Sequence, residues 1–129
     1  MTAADVDPQV FPYLKLHAEA NDVSLETLEL GFDEIPDSLL NETELLIGAD
    51  ICFRLSMVDP IYRLLERAVA AGVRQVVLAD PGRPAFHTLV TRCIERLDAS
   101  AHDTEVPEPL VNWPGSGLKV RGRLLCRGF

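Results

Sequence analysis

Three short apolar runs each end in an aspartate: Thr2-Ala3-Ala4-Asp5, Leu45-Leu46-Ile47-Gly48-Ala49-Asp50 and Val76-Val77-Leu78-Ala79-Asp80. A carboxylate at the end of a buried strand can accept hydrogen bonds from hydroxyls, orient an amine and share its departing proton, or cap the turn that follows. Other groups with chemistry stand close to these acids in the chain. Asp7 follows Asp5, Phe53 follows Asp50 by three positions, and Pro81-Gly82-Arg83 follows Asp80 directly. An aromatic face such as that of Phe53 can hold a cation, whereas Asp-Pro-Gly is also ordinary turn chemistry. Gly31-Phe32-Asp33-Glu34 is a turn that either buries its phenylalanine or presents Phe32 and Asp33 to a ligand. His17, His87 and His102 show no metal-ligand spacing, and Cys52, Cys93 and Cys126 include no Cys-x-x-Cys pair. Neither a metal site nor a disulfide framework is expected from them, and reduced thiols point to a cytoplasmic protein.

The elements that must position these residues follow from periodicity. Asp7 is placed to cap a helix with Pro8 in its first turn, and Val10, Tyr13, Leu14 and Ala18 recur at helical spacing up to Asn21-Asp22. Pro12 interrupts the first turns, so the regular helix starts late. Val23 to Phe32 reads as an edge or near-edge strand of imperfect alternation, closed by the turn-rich stretch from Gly31 to Pro36. Leu45 to Ala49 has no polar alternation, which predicts a central strand covered on both faces. Met57, Val58, Ile61, Leu64, Leu65 and Ala68 form one helical stripe that stops at Ala71-Gly72, and a strand over 75–79 follows. Phe86, Leu89, Val90, Cys93, Ile94 and Leu97 form a second stripe, with Thr88, Arg92, Glu95 and Arg96 opposite it. From Ser100 to Gly117 prolines and glycines break the pattern. Leu118 to Phe129 then reads as a last strand, the second half of a closing antiparallel hairpin, with Lys119, Arg121, Arg123 and Arg127 on a solvated face. Alternating strands and helices predict an α/β domain with a mainly parallel sheet, whose strand ends gather Asp5, Asp50 and Asp80.

Composition narrows the function. The chain has 129 residues, 47% hydrophobic and 25% charged, which suits one globular domain. Its net charge of −8 disfavours nucleic-acid phosphates and anionic membranes, and favours a basic peptide or an amine. Trp113 is expected to pack rather than to stack on bases. No basic leader precedes an apolar stretch, and no apolar run is long enough to span a bilayer.

With these residues in view, the chain resembles the C-terminal two-thirds or more of a class I, seven-β-strand, S-adenosylmethionine-dependent methyltransferase. Asp50-Ile51-Cys52-Phe53 is similar to the Asp-x-x-Phe/Tyr motif of the protein methyltransferases of that class. Ala79-Asp80-Pro81-Gly82-Arg83 resembles the corresponding stretch of the electron-transfer-flavoprotein lysine methyltransferase and nicotinamide N-methylase-like group. The resemblance implies a Rossmann-like fold with a C-terminal antiparallel hairpin, S-adenosylmethionine as cofactor, and a protein lysine or small amine as methyl acceptor. It implies that Asp5 accepts from the ribose hydroxyls and that Phe32 and Asp33 contact adenine. Asp50 and Phe53 would shape the acceptor pocket as catalytic residues, and Asp80 and Arg83 would bind substrate. Structural roles remain open beside these: a helix cap for Asp5 or Asp7, a turn cap for Asp50, and a plain strand-ending turn for Asp80.

One feature of the family pattern is not found. The first strand and its acid-x-Gly-x-Gly-x-Gly loop have no counterpart, so residues 1–129 are expected to form a single truncated methyltransferase domain that lacks a central strand and tends to self-associate. A noncatalytic remnant or subunit, completed by a strand from a partner, is the alternative reading. A receiver-like phosphoacceptor domain is more distant, since no lysine lies between Lys15 and Lys119 to hold a phosphoryl group.

Overall fold

The computed structural model describes residues 1–105 and 121–129, arranged as two compact units, Met1–Pro36 and Asp37–Phe129. Trp113, Lys119 and the expected start of the last strand at Leu118 lie outside the described residues. Among the described residues no helix is long and apolar enough to cross a membrane.

The first unit is a β-α-β element. Strand β1 (Thr2–Asp5) leads into a 3-10 turn (Pro8–Val10) and helix α1 (Phe11–Ala20), and strand β2 (Glu26–Glu29) returns parallel to β1. Asp7 caps the turn as its position implies, its Oδ1 accepting from the Gln9 amide at 3.0 Å. Pro8 starts the turn and Pro12 lies in the first turn of α1, where neither removes a hydrogen bond the helix needs. Within the expected apolar stripe Val10, Leu14 and Ala18 are half-buried, but Tyr13 is 67% exposed. β2 is shorter than the stretch from Val23 to Phe32 suggests, because Gly31 leaves the ladder to form a turn closed by Glu34 N to Gly31 O at 3.0 Å.

The second unit is built on a four-stranded sheet. Helix α2 (Asp37–Asn41) is followed by β3 (Leu45–Ala49), a 3-10 turn (Leu55–Met57), α3 (Val58–Ala70), β4 (Gln75–Asp80), α4 (Pro84–Arg96), β5 (Ser100–Glu105) and β6 (Arg121–Arg127). The sheet order is β3-β4-β6-β5, with β3 parallel to β4 and β6 antiparallel to both β4 and β5. The parallel pair, flanking helices and closing hairpin together are the α/β architecture expected from the sequence.

The helical stripes explain the core. Val58, Ile61, Tyr62, Leu64, Leu65 and Ala68 of α3 are buried, as are Ala85, Phe86, Leu89, Val90 and Cys93 of α4. Gly72, at φ +90°, ends α3 in a conformation that costs glycine little. β4 buries alternate residues, Val76, Leu78 and Asp80, and a small void is lined jointly by Leu65, Val69, Val76, Cys93, Leu97 and Leu125. α3, α4 and one face of the sheet therefore share a single core, in which each fully buried Leu, Ile or Phe contributes about 1.5–3 kcal/mol.

The opposite face corrects one expectation. β3 is an edge of its sheet, with β4 as its one ladder partner among the described residues, and Leu45 and Ile47 are 48% and 63% exposed. A continuous apolar run suits a strand covered on two faces, but here its alternate residues divide between the helix-covered face and an open one.

Candidate functional site

In the first unit β1 and β2 run parallel, so their C-terminal ends lie together and Asp5 stands opposite Glu29. Asp5 is half-buried and spends Oδ1 on the Asp7 amide at 2.8 Å, while Oδ2 has no hydrogen-bond partner among the described residues. The adjoining loop carries Phe32, half-buried, and Asp33, exposed and already engaged in an interaction. It is drawn close: a Cβ on Gly31 would meet Val6 Cγ1 at 3.5 Å and Glu34 Oε2 at 3.1 Å, and the Gly31 amide donates to that same oxygen at 2.6 Å. Asp5, Phe32 and Asp33 thus belong to one strand-end loop cluster. A carboxylate oxygen without a hydrogen-bond partner at this strand end can accept from a hydroxyl group of a ligand.

The second unit holds Asp50, Phe53, Asp80 and Arg83. β3 ends where the Asp50 amide donates to Ala79 O at 2.9 Å, which closes the ladder to β4. Asp50 is then forced into the left-handed region at φ +62°. Asp22 and Asp98 share that conformation just past the ends of α1 and α4, where it is common, but Asp50 adopts it at a strand end. Aspartate enters this region more readily than most non-glycine residues, and its occurrence at a strand end makes Asp50 a candidate functional position.

The loop beyond folds back onto the sheet because Gly48 has no side chain. A Cβ on Gly48 would meet Ile51 Cδ1 at 2.8 Å and Leu78 Cδ2 at 2.9 Å. With Ile51 seated there, Cys52 turns fully inward and Phe53 turns out to 47% exposure. Burial first, and then the charge of Asp80, push the Cys52 thiol above its ordinary value, so Cys52 is a neutral filler rather than a nucleophile. The Arg54 guanidinium lies 5.3 Å from the centroid of the Phe53 ring.

Asp80 ends β4 and is 4% exposed. Its Oδ1 accepts from the Gly82 and Arg83 amides, both at 2.8 Å, which closes the turn that leads into α4, with Gly82 at φ +95°. Its Oδ2 is buried with no hydrogen-bond partner, and Arg83 Nη2 stands 3.9 Å away. That same Nη2 pairs with Asp50 Oδ1, so Arg83 links the ends of β3 and β4. The structure therefore brings Asp50, Asp80 and Arg83 together in this unit, while Asp5, Phe32 and Asp33 stand in the other.

Arg123 and Arg54, to which the sequence assigned no site role, lie close to these residues. Antiparallel register sets Arg123 opposite Asp80. Its Nη1 lies 3.3 Å from His87 Nδ1 and 3.8 Å from Asp103, and its Nε is buried without a partner. Arg121, still exposed as expected, pairs with Glu105 at 3.1 Å, whereas Arg127 is half-buried and donates to Leu97 O at 2.9 Å. Arg54 was visible only as the residue after Phe53.

No family model matches the sequence, and no curated protein matches it. Among solved structures, the METTL16 MTase domain superposes with a TM-score of 0.60 at 13% identity, over 99% of this chain and 50% of that one. A methyltransferase from Pyrococcus furiosus gives 0.59 at 19% identity, over 98% of this chain and 61% of that one. The precorrin 8W decarboxylase of Methanobacterium thermoautotrophicum gives 0.63 at 9% identity, over 99% and 69%. The chain spans 50% and 62% of the length of the two METTL16 domain structures it matches. At these identities the likeness is one of fold, and on it the chain has the Rossmann-like α/β fold of class I methyltransferase domains.

Proposed function

We propose that the chain belongs to a methyltransferase that uses S-adenosylmethionine and methylates nitrogen, on a protein lysine or a small amine. The observation that carries the reading is Asp50, a solvent-facing carboxylate held in a left-handed conformation at the end of a ladder, in a fold shared with methyltransferase domains. Nitrogen as acceptor is supported by the resemblance of 50–53 and 79–83 to the electron-transfer-flavoprotein lysine methyltransferase and nicotinamide N-methylase-like group. The free cysteines support a reducing, cytoplasmic setting.

Asp5 would accept from a ribose hydroxyl through Oδ2, with Phe32 against adenine and Asp33 toward its exocyclic amine. When bound, the cofactor supplies a methyl carbon on a cationic sulfur, an electrophile for a neutral nitrogen. Methyl transfer needs alignment and an unprotonated nucleophile more than it needs acid catalysis. Asp50 would meet the first need by orienting the neutral amine, and would hold the alkylammonium formed on transfer until its proton passes to solvent. Asp80 holds the loop, and Phe53 presents a ring face to the cation that develops.

Saturation-transfer NMR with S-adenosylmethionine tests the nucleoside assignment even where binding is weak. Transfer to the adenine and ribose protons is expected, reduced roughly ten- to a hundredfold in affinity by Asp5→Ala, the loss of a charge-assisted hydrogen bond. Transfer that is absent, or unchanged in the variant, contradicts the assignment.

A further inference from the structure

Both groups suited to holding a cationic nitrogen already hold one from this chain. The Asp50 carboxylate is paired with the Arg83 guanidinium, and the Phe53 ring carries the Arg54 guanidinium at 5.3 Å. Behind Arg83 lies Asp80, whose side chain is 1% exposed and whose Oδ2 faces Arg83 Nη2 at 3.9 Å without a hydrogen-bond partner. A buried carboxylate oxygen left without a donor is costly and marks a place where a donor is missing.

We propose that Asp50 and Asp80 form a subsite for a cationic nitrogen, ammonium or guanidinium, in which Arg83 is a placeholder that the incoming acceptor displaces. The inference rests on the acceptor-side reading of Asp50 and adds the charge class in which the acceptor arrives and the gate it passes; the bound cation gives up a proton to solvent before its nitrogen can take a methyl carbon. Arg83 is built to move without unfolding its surroundings. Its backbone amide is fixed by Asp80 Oδ1 at 2.8 Å, so the turn before α4 keeps its shape when the side chain swings out. The Asp50 side chain is 69% exposed against 29% for Arg83, so an arriving cation reaches Asp50 from solvent. Arg83 Nη2 contacts Asp50 directly and leaves Asp80 Oδ2 unfilled, whereas a small ammonium with three donors can serve both carboxylates. An internal occupant lowers apparent affinity by the fraction of time the site is filled, so acceptor binding is weak until Arg83 leaves.

The test titrates the chain with n-butylammonium chloride, a lysine side-chain mimic, without S-adenosylmethionine, following the backbone amides of Asp50 and Phe53 and the Arg83 Nε–H signal by NMR. Weak binding that moves the Arg83 Nε–H is expected. Arg83→Gln should bind the probe roughly three- to tenfold tighter, as expected for removing a partly exposed ion-pair competitor, and adding Asp50→Asn should abolish the gain. An Arg83 signal that stays still at saturation overturns the proposal, as does an Arg83→Gln chain that binds the probe no better than the native one. Sodium butyrate that binds the native chain and not Arg83→Gln also overturns it, since Arg83 would then be an anion receptor. The native-chain signal decides the matter even if Arg83→Gln fails to fold. A chain that displaces Arg83 yet transfers no methyl group refutes the methyltransfer reading alone, and one that transfers methyl with Arg83 unmoved refutes this inference alone.

Discussion

Asp80→Ala is expected to destabilise the second unit far more than Asp80→Asn. Oδ1 of Asp80 satisfies two amides in the turn before α4, those of Gly82 and Arg83, each at 2.8 Å. Leaving a partly buried N–H unmet costs about 1–3 kcal/mol, and two such amides lose their acceptor here. Alanine also removes the buried, unpartnered Oδ2, whose desolvation penalty of about 1–3 kcal/mol offsets part of that loss. The net change is about 2–3 kcal/mol for alanine. Asparagine keeps an acceptor at Oδ1 and replaces the orphaned oxygen with a neutral amide, so its cost is about 1 kcal/mol or less. For a unit of this size each kcal/mol shifts Tm by roughly 4–8 °C, so urea and thermal unfolding followed by circular dichroism separate the two variants. An asparagine variant as unstable as the alanine one would show that charge, and not an acceptor at Oδ1, holds the turn. An alanine variant within about 0.5 kcal/mol of the native chain would remove Asp80 from the account of α4 altogether.

Alkaline pH should weaken the second unit through its buried thiol. Burial raises the Cys93 thiol from the usual 9.0 to about 12, with Arg92 opposing and Cys52 and Glu66 adding to the rise. Its contribution is complete below pH 9.0 and is lost as pH climbs toward about 12, at ~1.4 kcal/mol per pH unit. Cys52 and Tyr62, raised chiefly by burial, act in the same direction, so Cys93→Ala should shallow the slope measured by denaturant unfolding without flattening it. An unchanged slope excludes Cys93 as a source. In the folded chain Cys126 should react first with an aromatic disulfide reagent, because Cys52 and Cys93 are 0% and 1% exposed; simultaneous release of all three thiols would contradict that core. Ile47 is 63% exposed on the open edge strand β3, so the chain should associate as its concentration rises, and Ile47→Lys should suppress this in sedimentation runs. A native chain that stays monomeric throughout refutes it.

What was legible in the sequence was what local chemistry decides. Asp7 before Pro8 marks a helix start, the stripes from Val58 to Ala68 and from Phe86 to Cys93 mark two core helices, and Asp80-Pro81-Gly82 marks a strand-ending turn. What was not legible depends on partners. β5 reads Ser-Ala-His-Asp-Thr-Glu, with no apolar alternation, and is a strand because β6 supplies its ladder. β6 pairs with β4 so as to set Arg123 beside Asp80, a register that no residue of β6 announces. The apolar run of β3 could not reveal which strand would lie next to it. Asp50 was legible as a strand-end carboxylate, but its occupation by Arg83 was not, since the two are brought together only by the β3–β4 ladder.

The most direct measurement is methyl transfer from isotopically labelled S-adenosylmethionine to a lysine-containing peptide or a small primary amine, by the native protein and by its Asp5→Ala and Asp50→Ala variants. The account requires label on nitrogen, with Asp5→Ala raising the cofactor Kd roughly ten- to a hundredfold and Asp50→Ala lowering kcat while leaving that Kd within a few fold. Equal effects of the two substitutions on cofactor Kd, or turnover on nitrogen that survives Asp50→Ala, would contradict it.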